Sequence, residues 1–380
     1  MIIGIIKEIK NNEYRVGITP AGVKEFISNG HTVLVEKEAG LGSGIMDEDY
    51  LQAGARVVDT AEEVYNKAGM IIKVQEPQAS EYELLREGQV LYTFLHLAAE
   101  SKLTKELVKR KVVAIAYETV QLPNGQLPLL IPMSEVAGRM SAQIGAHYLE
   151  KTSGGSGVLM GGVPGVKPAY VVIIGGGIVG MNAARIAAGM GAEVTIIDKK
   201  LERICYLDDM FQGRVKTLVS SVYNIENEVA KADILIGAVL IPGARAPRLV
   251  TEEMVKKMKP GSVIVDVAID QGGSIATIDR VTSHSDPVYI KHGVIHYAVA
   301  NIPGAVARTS TFALTNATTP YAIEIANKGW KQAVLENPAL AKGLNVADGQ
   351  ITCKAVADAH HLSYSPRNEN DMAKLSHGLD

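Results

Sequence analysis

A glycine-rich run followed by an acidic residue is the part of the sequence whose chemistry is easiest to interpret. Residues Gly175-Gly176-Gly177-Ile178-Val179-Gly180 fit the pattern G-x-G-x-x-G, and Asp198 follows at about the spacing, roughly 20 residues, of a ribose-binding acid. Gly175 would make a tight turn, Gly177 would let the backbone approach a pyrophosphate, and Gly180 would let a helix pack closely on the preceding strand. The unpaired N–H groups at the start of that helix would face the anion. The run therefore predicts a dinucleotide site.

The acid after the glycine run also bears on the choice between NAD and NADP. A carboxylate at Asp198 can accept hydrogen bonds from both ribose hydroxyls and would repel a 2′-phosphate, which favours NAD. Lys199 and Lys200 follow directly and leave NADP open as the alternative. A packing turn that binds no ligand would explain the glycines but would leave Asp198 without a role.

Two further residues have the type and position that proton transfer needs. Ligands of doubly wound sheets bind beyond the carboxyl ends of the strands, so a strand over Ser262–Ile269 would deliver Asp270 to a nicotinamide. Asp266 lies within that strand and is interpreted as a buried structural acid. His96 closes another strand, where an imidazole can polarise a carbonyl and move a proton near neutral pH. A turn residue at position 270 and an ordinary surface or core histidine at position 96 stay open as alternatives.

Arg15 is the candidate for binding a carboxylate. It follows the first strand, and its guanidinium offers a fork of donors that matches a carboxylate. On position alone, an exposed surface arginine is the simpler interpretation.

The elements that would position these residues alternate between strands and helices, which predicts parallel sheets. Thr19 and Pro20 suit the cap and first position of a helix that Gly30 closes. Strands are predicted in the first part of the chain over Ile2–Ile6, His31–Glu36, Met70–Gln75, Gln89–His96 and Val112–Glu118, and helices over Glu81–Glu87 and Leu103–Arg110.

A second series of elements begins near residue 131. A helix capped by Ser134 is predicted over 134–151, and strands over Tyr170–Gly175, Glu193–Asp198, Ile234–Leu240, Ser262–Ile269 and Val294–Val299. A helical stretch over Thr319–Leu335 is too isolated to fold alone, so we expect it to return to the first domain. The predicted fold class is α/β, with two doubly wound Rossmann-like domains. Residues 1–130 and 305–380 would form a substrate domain, and residues 131–304 an inserted NAD-binding domain.

Composition and charge argue against several other classes of protein. The chain has 380 residues, of which 47% are apolar and 21% charged, as expected of a soluble protein with two cores. A net charge of −3 without a basic stripe argues against nucleic acid as a partner. No stretch is predicted to span a membrane, and no metal-ligand spacing appears. The two cysteines are far apart in the sequence, and the first residues resemble a strand more than a signal peptide. Both observations favour a cytoplasmic location.

Several longer runs resemble the alanine dehydrogenase family, over nearly the whole chain. They are Asn11-Asn12-Glu13-Tyr14-Arg15-Val16, Thr93-Phe94-Leu95-His96-Leu97-Ala98, Ala116-Tyr117-Glu118-Thr119-Val120, Pro132-Met133-Ser134-Glu135-Val136-Ala137-Gly138, Gly161-Gly162-Val163-Pro164-Gly165-Val166 and Ile269-Asp270-Gln271-Gly272-Gly273. The resemblance implies a homo-hexamer that interconverts L-alanine with pyruvate and ammonium, using NAD. The nucleotide-binding subunit of proton-translocating transhydrogenase and the lysine-forming saccharopine dehydrogenases are related families.

The resemblance also implies roles for single residues. His96 and Asp270 would be the catalytic acid/base pair, and Arg15 would bind the substrate carboxylate. Cofactor contacts would fall on Ser134, Ile178, Val179, Asp198, Arg203, Ser220, Val239, Leu240, Val267, Asp270, Val299 and Asn301.

One position departs from the family pattern. The family has a lysine–valine–lysine–glutamate–proline run where this chain has Lys73-Val74-Gln75-Glu76-Pro77, so Gln75 replaces a substrate-binding lysine. Lys73 is expected on the same face of its strand, but roughly 6.5–7 Å back along it. Losing an oriented charge-assisted contact commonly costs about 2–4 kcal/mol of transition-state stabilisation. We therefore predict a chain that folds and binds NAD but is impaired in turnover.

Two other functions stay open from the sequence. A transhydrogenase-like component would pass a hydride to NADP on a partner and would not need His96. A catalytically silent, NAD-binding relative is the other, and Gln75 favours it.

Overall fold

The fold is described from a computed structural model, for residues 1–239, 247–269 and 272–365. Its strands, in chain order, are β1 (Ile2–Ile5), β2 (Thr32–Glu36), β3 (Arg56–Val58), β4 (Met70–Ile72), β5 (Val90–Thr93), β6 (Val113–Ala116), β7 (Tyr170–Ile174), β8 (Glu193–Asp198), β9 (Lys216–Val219), β10 (Ile234–Gly237), β11 (Val263–Asp266), β12 (Val288–Lys291), β13 (Val294–Tyr297), β14 (Leu344–Ala347) and β15 (Gln350–Ile351). Its helices are α1 (Pro20–Ser28), α2 (Asp47–Gln52), α3 (Ala61–Lys67), α4 (Ser101–Lys109), α5 (Ile131–Leu149), α6 (Ile178–Gly189), α7 (Leu201–Phe211), α8 (Val222–Val229), α9 (Glu252–Lys256), α10 (Ala307–Lys328), α11 (Trp330–Glu336), α12 (Pro338–Gly343) and α13 (Lys354–His360).

The chain forms two compact units. The first contains Met1–Met133 together with the chain from Val306 on, and the second contains Ser134–Ala305. Each unit has its own sheet, built mostly of parallel strands, as predicted for the α/β class. No described helix is long and apolar enough to cross a membrane.

The first unit is built on a sheet with the strand order β15-β14-β6-β5-β4-β1-β2-β3. Strands β1 to β6 run parallel, while β14 pairs antiparallel with β6 and β15 antiparallel with β14. Every residue of β4, β5 and β6 is buried, as is typical of parallel strands covered on both faces. The predicted start of α1 is confirmed, because Thr19 Oγ1 accepts a hydrogen bond from Gly22 N at 3.4 Å.

The second unit is built on a sheet with the strand order β12-β13-β11-β10-β7-β8-β9. Only β12, paired with β13, runs antiparallel among its described strands. Helix α6 packs Ala183, Ala184 and Ala187 into the core beside β7. These small side chains let the helix approach the sheet closely, which matters for the turn that joins β7 to α6.

Several predicted boundaries are corrected by the structure. The strands of the first unit end earlier than predicted, β4 at Ile72 and β5 at Thr93, so the polar residues that follow lie in loops. The predicted helix Glu81–Glu87 is a single 3₁₀ segment, Ala79–Leu84. Strands β3, β9, β12, β14 and β15 were not predicted, because they are short or lie at sheet edges.

Two predicted helix starts were wrong. Ser134 does not cap a helix, because α5 begins at Ile131 and accommodates Pro132 in its first turn, where a missing N–H costs nothing. The predicted helix Thr319–Leu335 is two helices, since α10 already begins at Ala307 and includes Pro320, and Gly329 with φ 75° separates it from α11.

Candidate active site

The residues predicted to bind a dinucleotide follow the carboxyl ends of strands in the second unit. Because these strands are parallel and share one sheet, the residues lie along one edge of it. In chain order they are Gly175 after β7, Asp198 at the end of β8, Ser220 after β9, Val239 after β10, Val267 after β11, and Val299 and Asn301 after β13.

The three glycines of the fingerprint are required for three different reasons. Gly175 has φ 101°, and a Cβ there would lie 2.6 Å from Ala238 O. Gly177 precedes α6, and a Cβ there would meet no atom within 4 Å, so space is open on that side of the turn. A Cβ at Gly180 would lie 1.9 Å from Gly175 O. Ile178 and Val179 form the first turn of α6, which no described side chain caps.

Two charged side chains hold the turn in place. Asp198 Oδ2 accepts a hydrogen bond from Gly176 N at 2.7 Å, and its Oδ1 accepts one from Lys200 N at 2.9 Å. From the other side, Arg203 Nε donates to Gly176 O at 2.5 Å. Each carboxylate oxygen can accept more than one hydrogen bond, so Asp198 keeps acceptor capacity toward a ribose.

The other predicted cofactor residues differ in burial and backbone conformation. Ser134 is half-buried within α5. Asn301 has φ 57°, and its carbonyl oxygen lies 3.1 Å from His284 Nε2. Leu240 and Asp270 lie outside the described residues.

Asp266 is a structural acid, as its position within β11 suggested. It is fully buried, with Oδ1 accepting a hydrogen bond from Ala268 N at 3.0 Å and Oδ2 one from Ser274 N at 2.8 Å. These bonds connect Asp266 to the backbone directly after β11 and to that of Ser274. Burial nevertheless raises the pKa of the Asp266 carboxyl to about 6.

This raised pKa predicts how Asp266 affects stability. The unfolded chain ionises the carboxyl at about pH 4 and the folded chain near pH 6, so the folded state binds the proton more tightly. The Asp266 carboxyl therefore makes its full contribution to the free energy of unfolding below about pH 4. That contribution falls by about 3 kcal/mol as the pH rises through 6. Asp266→Asn has no such titration. In urea unfolding, the stability difference between the native chain and this variant should shrink by about that amount over this range; a constant difference would contradict the assignment.

The predicted substrate residues follow three adjacent strands of the first sheet. Arg15 lies after β1, Gln75 after β4 and His96 after β5, and the strand order places these three strands side by side. The structure thus brings the three residues to one edge of the first sheet.

Arg15 is buried rather than exposed, so its interpretation as a surface residue is wrong. Only 2% of it is accessible, and its Nε and Nη2 donate to Glu13 Oε1 and Oε2 at 2.7 and 2.5 Å. Glu13 Oε2 also accepts a hydrogen bond from Gln75 Nε2 at 3.2 Å. Glu13 therefore joins the two predicted substrate residues, a role that sequence reasoning did not assign.

Lys73, expected on the same strand face as Gln75 but two residues back, is held in other ion pairs. It lies beyond the end of β4, where its Nζ is 3.2 Å from Glu8 Oε2 and 2.9 Å from Glu81 Oε1, with 1% of the side chain exposed. Both partners hold the ammonium in the core, and they raise the pKa of Lys73 against the effect of burial. It cannot replace a lysine at position 75.

His96 is exposed and held by its backbone. It has φ 50°, and its N–H donates to Glu118 Oε1 at 2.6 Å. Its ring stacks on that of Phe94, with centroids 6.0 Å apart. Glu118, in one of the runs noted above, is a second residue whose positioning role the sequence did not reveal. Among the described residues, no group of three His, Cys, Asp or Glu side chains is arranged to hold a metal ion.

Comparison with known proteins finds relatives over nearly the whole chain. The family profile "Alanine dehydrogenase/PNT, N-terminal domain" matches residues 4–137, and "Alanine dehydrogenase/PNT, C-terminal domain" matches residues 141–354. A protein named alanine dehydrogenase from Methanococcus maripaludis is 67% identical over 366 residues, which are 96% of this chain and 98% of the relative.

Solved structures extend the comparison to the fold. A structure named L-alanine dehydrogenase superposes with a TM-score of 0.92 at 53% identity, covering 94% of this chain and 99% of the other. A transhydrogenase from Sinorhizobium meliloti superposes with a TM-score of 0.77 at 28% identity, covering 93% and 100%. With both family profiles matched in order and these identities over nearly full length, the chain belongs to the alanine dehydrogenase/PNT family.

Proposed function

We propose that this chain catalyses the reversible, NAD-dependent oxidative deamination of L-alanine to pyruvate and ammonium. The observation that carries the proposal is its 67% identity, over 98% of the relative's length, to a protein named alanine dehydrogenase. The test is oxidation of NADH by pyruvate and ammonium together, with alanine as the product.

The second unit has the features that NAD requires. The open side of the turn at Gly177, the uncapped start of α6 and the carboxylate of Asp198 fit a pyrophosphate and a ribose. Arg203, Ser220, Val239, Val267, Val299, Asn301 and Ser134 are proposed as further contacts. When bound, NAD supplies the nicotinamide that exchanges a hydride with C2 of the substrate.

The first unit supplies the groups proposed to bind and protonate the substrate. Arg15, oriented by Glu13, would bind the carboxylate. His96 would donate a proton to the substrate oxygen and take it back in the reverse direction. We propose Asp270 as the group that exchanges protons with the amine and water, on the resemblance alone.

Asp198 is expected to set the preference for NAD over NADP. Asp198→Asn keeps an oxygen that can accept from Gly176 N but removes the negative charge. Because that charge would repel a 2′-phosphate, the ratio of NADPH to NADH dissociation constants should fall by about tenfold or more. Fluorescence titration of both cofactors measures the ratio. An unchanged ratio would show that Asp198 does not discriminate.

Restoring a lysine at position 75 is expected to raise turnover. Gln75→Lys would put an ammonium beside Glu13, in place of an amide that carries no charge. We expect kcat/KM for alanine to rise by about thirtyfold, which corresponds to about 2 kcal/mol. Gln78→Lys, three positions on at a half-buried residue, is the control and should change little. Equal rates for the native chain and Gln75→Lys would refute the idea.

The assembly and location are proposed from the resemblance. We expect a homo-hexamer in the cytoplasm, with L-alanine, pyruvate and ammonium as its small-molecule partners. Light scattering after size-exclusion chromatography measures the assembly.

A catalytically silent relative is the second candidate, and a specific observation favours it. Position 75 has no charge, and Lys73 is fixed in other ion pairs. Such a protein would bind NADH but would not oxidise it with pyruvate and ammonium.

A further inference from the structure

A small charged cluster surrounds Gln75 in the first unit. Besides Glu13 and Arg15 it includes Lys10, which follows β1, and Glu76, next to Gln75. It thus combines two cations, two anions and one neutral amide. The distribution of the two positive charges determines which of them can meet a substrate carboxylate.

The two cations differ in their surroundings. Arg15 is fixed in the interior, because Glu13 binds two of its nitrogens and the two side chains are 2% and 0% exposed. The side chain of Lys10 is 38% exposed, and its four-carbon stem can move. Lys10 is therefore the cation of this cluster that can adjust its position toward an entering anion.

The Gln75 amide connects Lys10 to the substrate residues. Gln75 Oε1 lies 3.5 Å from Lys10 Nζ, while Gln75 Nε2 donates to Glu13 Oε2 at 3.2 Å. The amide oxygen is thus turned toward Lys10 and its NH₂ group toward the Glu13–Arg15 pair. Gln75 carries no charge itself, but the Lys10 ammonium lies within hydrogen-bond reach of its side chain.

Glu76 holds Lys10 in this position. Its Oε1 accepts from Lys10 Nζ at 2.6 Å, and its side chain is 8% exposed. Its Oε2 is buried and lacks a hydrogen-bond partner in the part of the chain that the structure describes. The contacts to Glu76 and Gln75 use two of the three N–H donors of the ammonium, which leaves one for a carboxylate.

From this geometry we infer that Lys10 is a second substrate-binding cation, in addition to Arg15, and that it operates together with Gln75. Its ammonium, anchored by Glu76 and guided by the Gln75 amide, binds the carboxylate of the 2-oxo or 2-amino acid. This inference rests on the proposed function for the identity of the substrate. It adds a residue to the site that neither the sequence patterns nor the resemblance assigned.

A comparison in two backgrounds tests the inference. Lys10→Met is made in the native chain and in Gln75→Lys, and pyruvate binding to the NADH-loaded protein is followed by NADH fluorescence. In the native background the dissociation constant should rise on the order of twentyfold, the range of a charge-assisted hydrogen bond. In the Gln75→Lys background the dissociation constant should rise less than about threefold, because the ammonium at position 75 also binds the carboxylate. Lys10→Arg should retain most of the affinity.

Two controls separate binding from folding. Lys7→Met removes a lysine that pairs at the surface with Glu38 at 3.0 Å, and it should leave pyruvate binding unchanged. If Lys10→Met fails to fold because Glu76 loses its cation, Lys10→Met with Glu76→Gln removes both charges and is compared with Glu76→Gln alone.

The outcomes distinguish this inference from the proposed function. Equal losses of affinity in both backgrounds would mean that Lys10 is only structural, and no loss in the native background would mean that it does not bind substrate; either result overturns the inference. Pyruvate binding that depends on Lys10, without oxidation of NADH when pyruvate and ammonium are both present, would support the inference and refute the proposed function. No pyruvate binding in either background would overturn both.

Discussion

Replacing His96 with asparagine is expected to lower kcat by about a thousandfold, with little effect on NADH affinity. General acid–base groups commonly contribute factors of about 10²–10⁴, and an amide cannot supply or accept the proton. His96 has φ 50°, a conformation that asparagine tolerates better than most residues, so the backbone can be kept. The N–H to Glu118 is also retained. The loss is therefore assigned to the imidazole.

His361 offers a matched control for this prediction. It is also exposed, with φ 53°, and lies in the first unit. His361→Asn should keep native turnover in the same assay of NADH oxidation by pyruvate and ammonium. Comparable rates for His96→Asn and the native chain would remove His96 from the mechanism.

Replacing Gly180 with alanine is the second change with a large expected effect. The new Cβ would lie 1.9 Å from Gly175 O, so the start of α6 would have to move away from the turn. That shift separates the helix N–H groups from the pyrophosphate site. We expect NADH affinity to fall by about a hundredfold or more and stability to fall by about 3 kcal/mol, as in other overpacked sites.

Gly189→Ala is the control, because it makes the same substitution in the same helix. A Cβ at Gly189 would meet no atom within 4 Å. Alanine there should bind NADH normally and gain up to about 1 kcal/mol from helix propensity. NADH titration and urea unfolding of both variants test the argument. Native-like NADH binding by Gly180→Ala would contradict the close packing of this turn.

The sequence predicts the fold best where local patterns repeat. Apolar runs located most of the parallel strands, and the Thr19–Pro20 pair located the start of α1. A similar local signal misled at Ser134, which lies within the first turn of a helix that already begins at Ile131. Strand β14 depends on pairing with β6, more than 200 residues away, which no local pattern encodes.

In the candidate site, too, features set by local sequence could be predicted and features set by long-range contacts could not. The glycine turn and Asp198 are close in sequence, so their geometry could be predicted from spacing. The contact between Gln75 and Glu13 could not be predicted, because the two residues are 62 positions apart and only the fold brings them together. Lys73 forms a buried pair with Glu8, which lies 65 residues away along the chain. Lys10 lies a similar distance from Gln75 along the chain, and only the fold shows that the two meet.

The most direct test of the account is the requirement for both substrates in NADH oxidation. The native chain is mixed with NADH and pyruvate, with NADH and ammonium, and with all three, and the product is identified by mass spectrometry. The account predicts oxidation only in the complete mixture, with one L-alanine formed for each NADH consumed. NADH that binds but is not oxidised in the complete mixture, or oxidation without alanine, would contradict it.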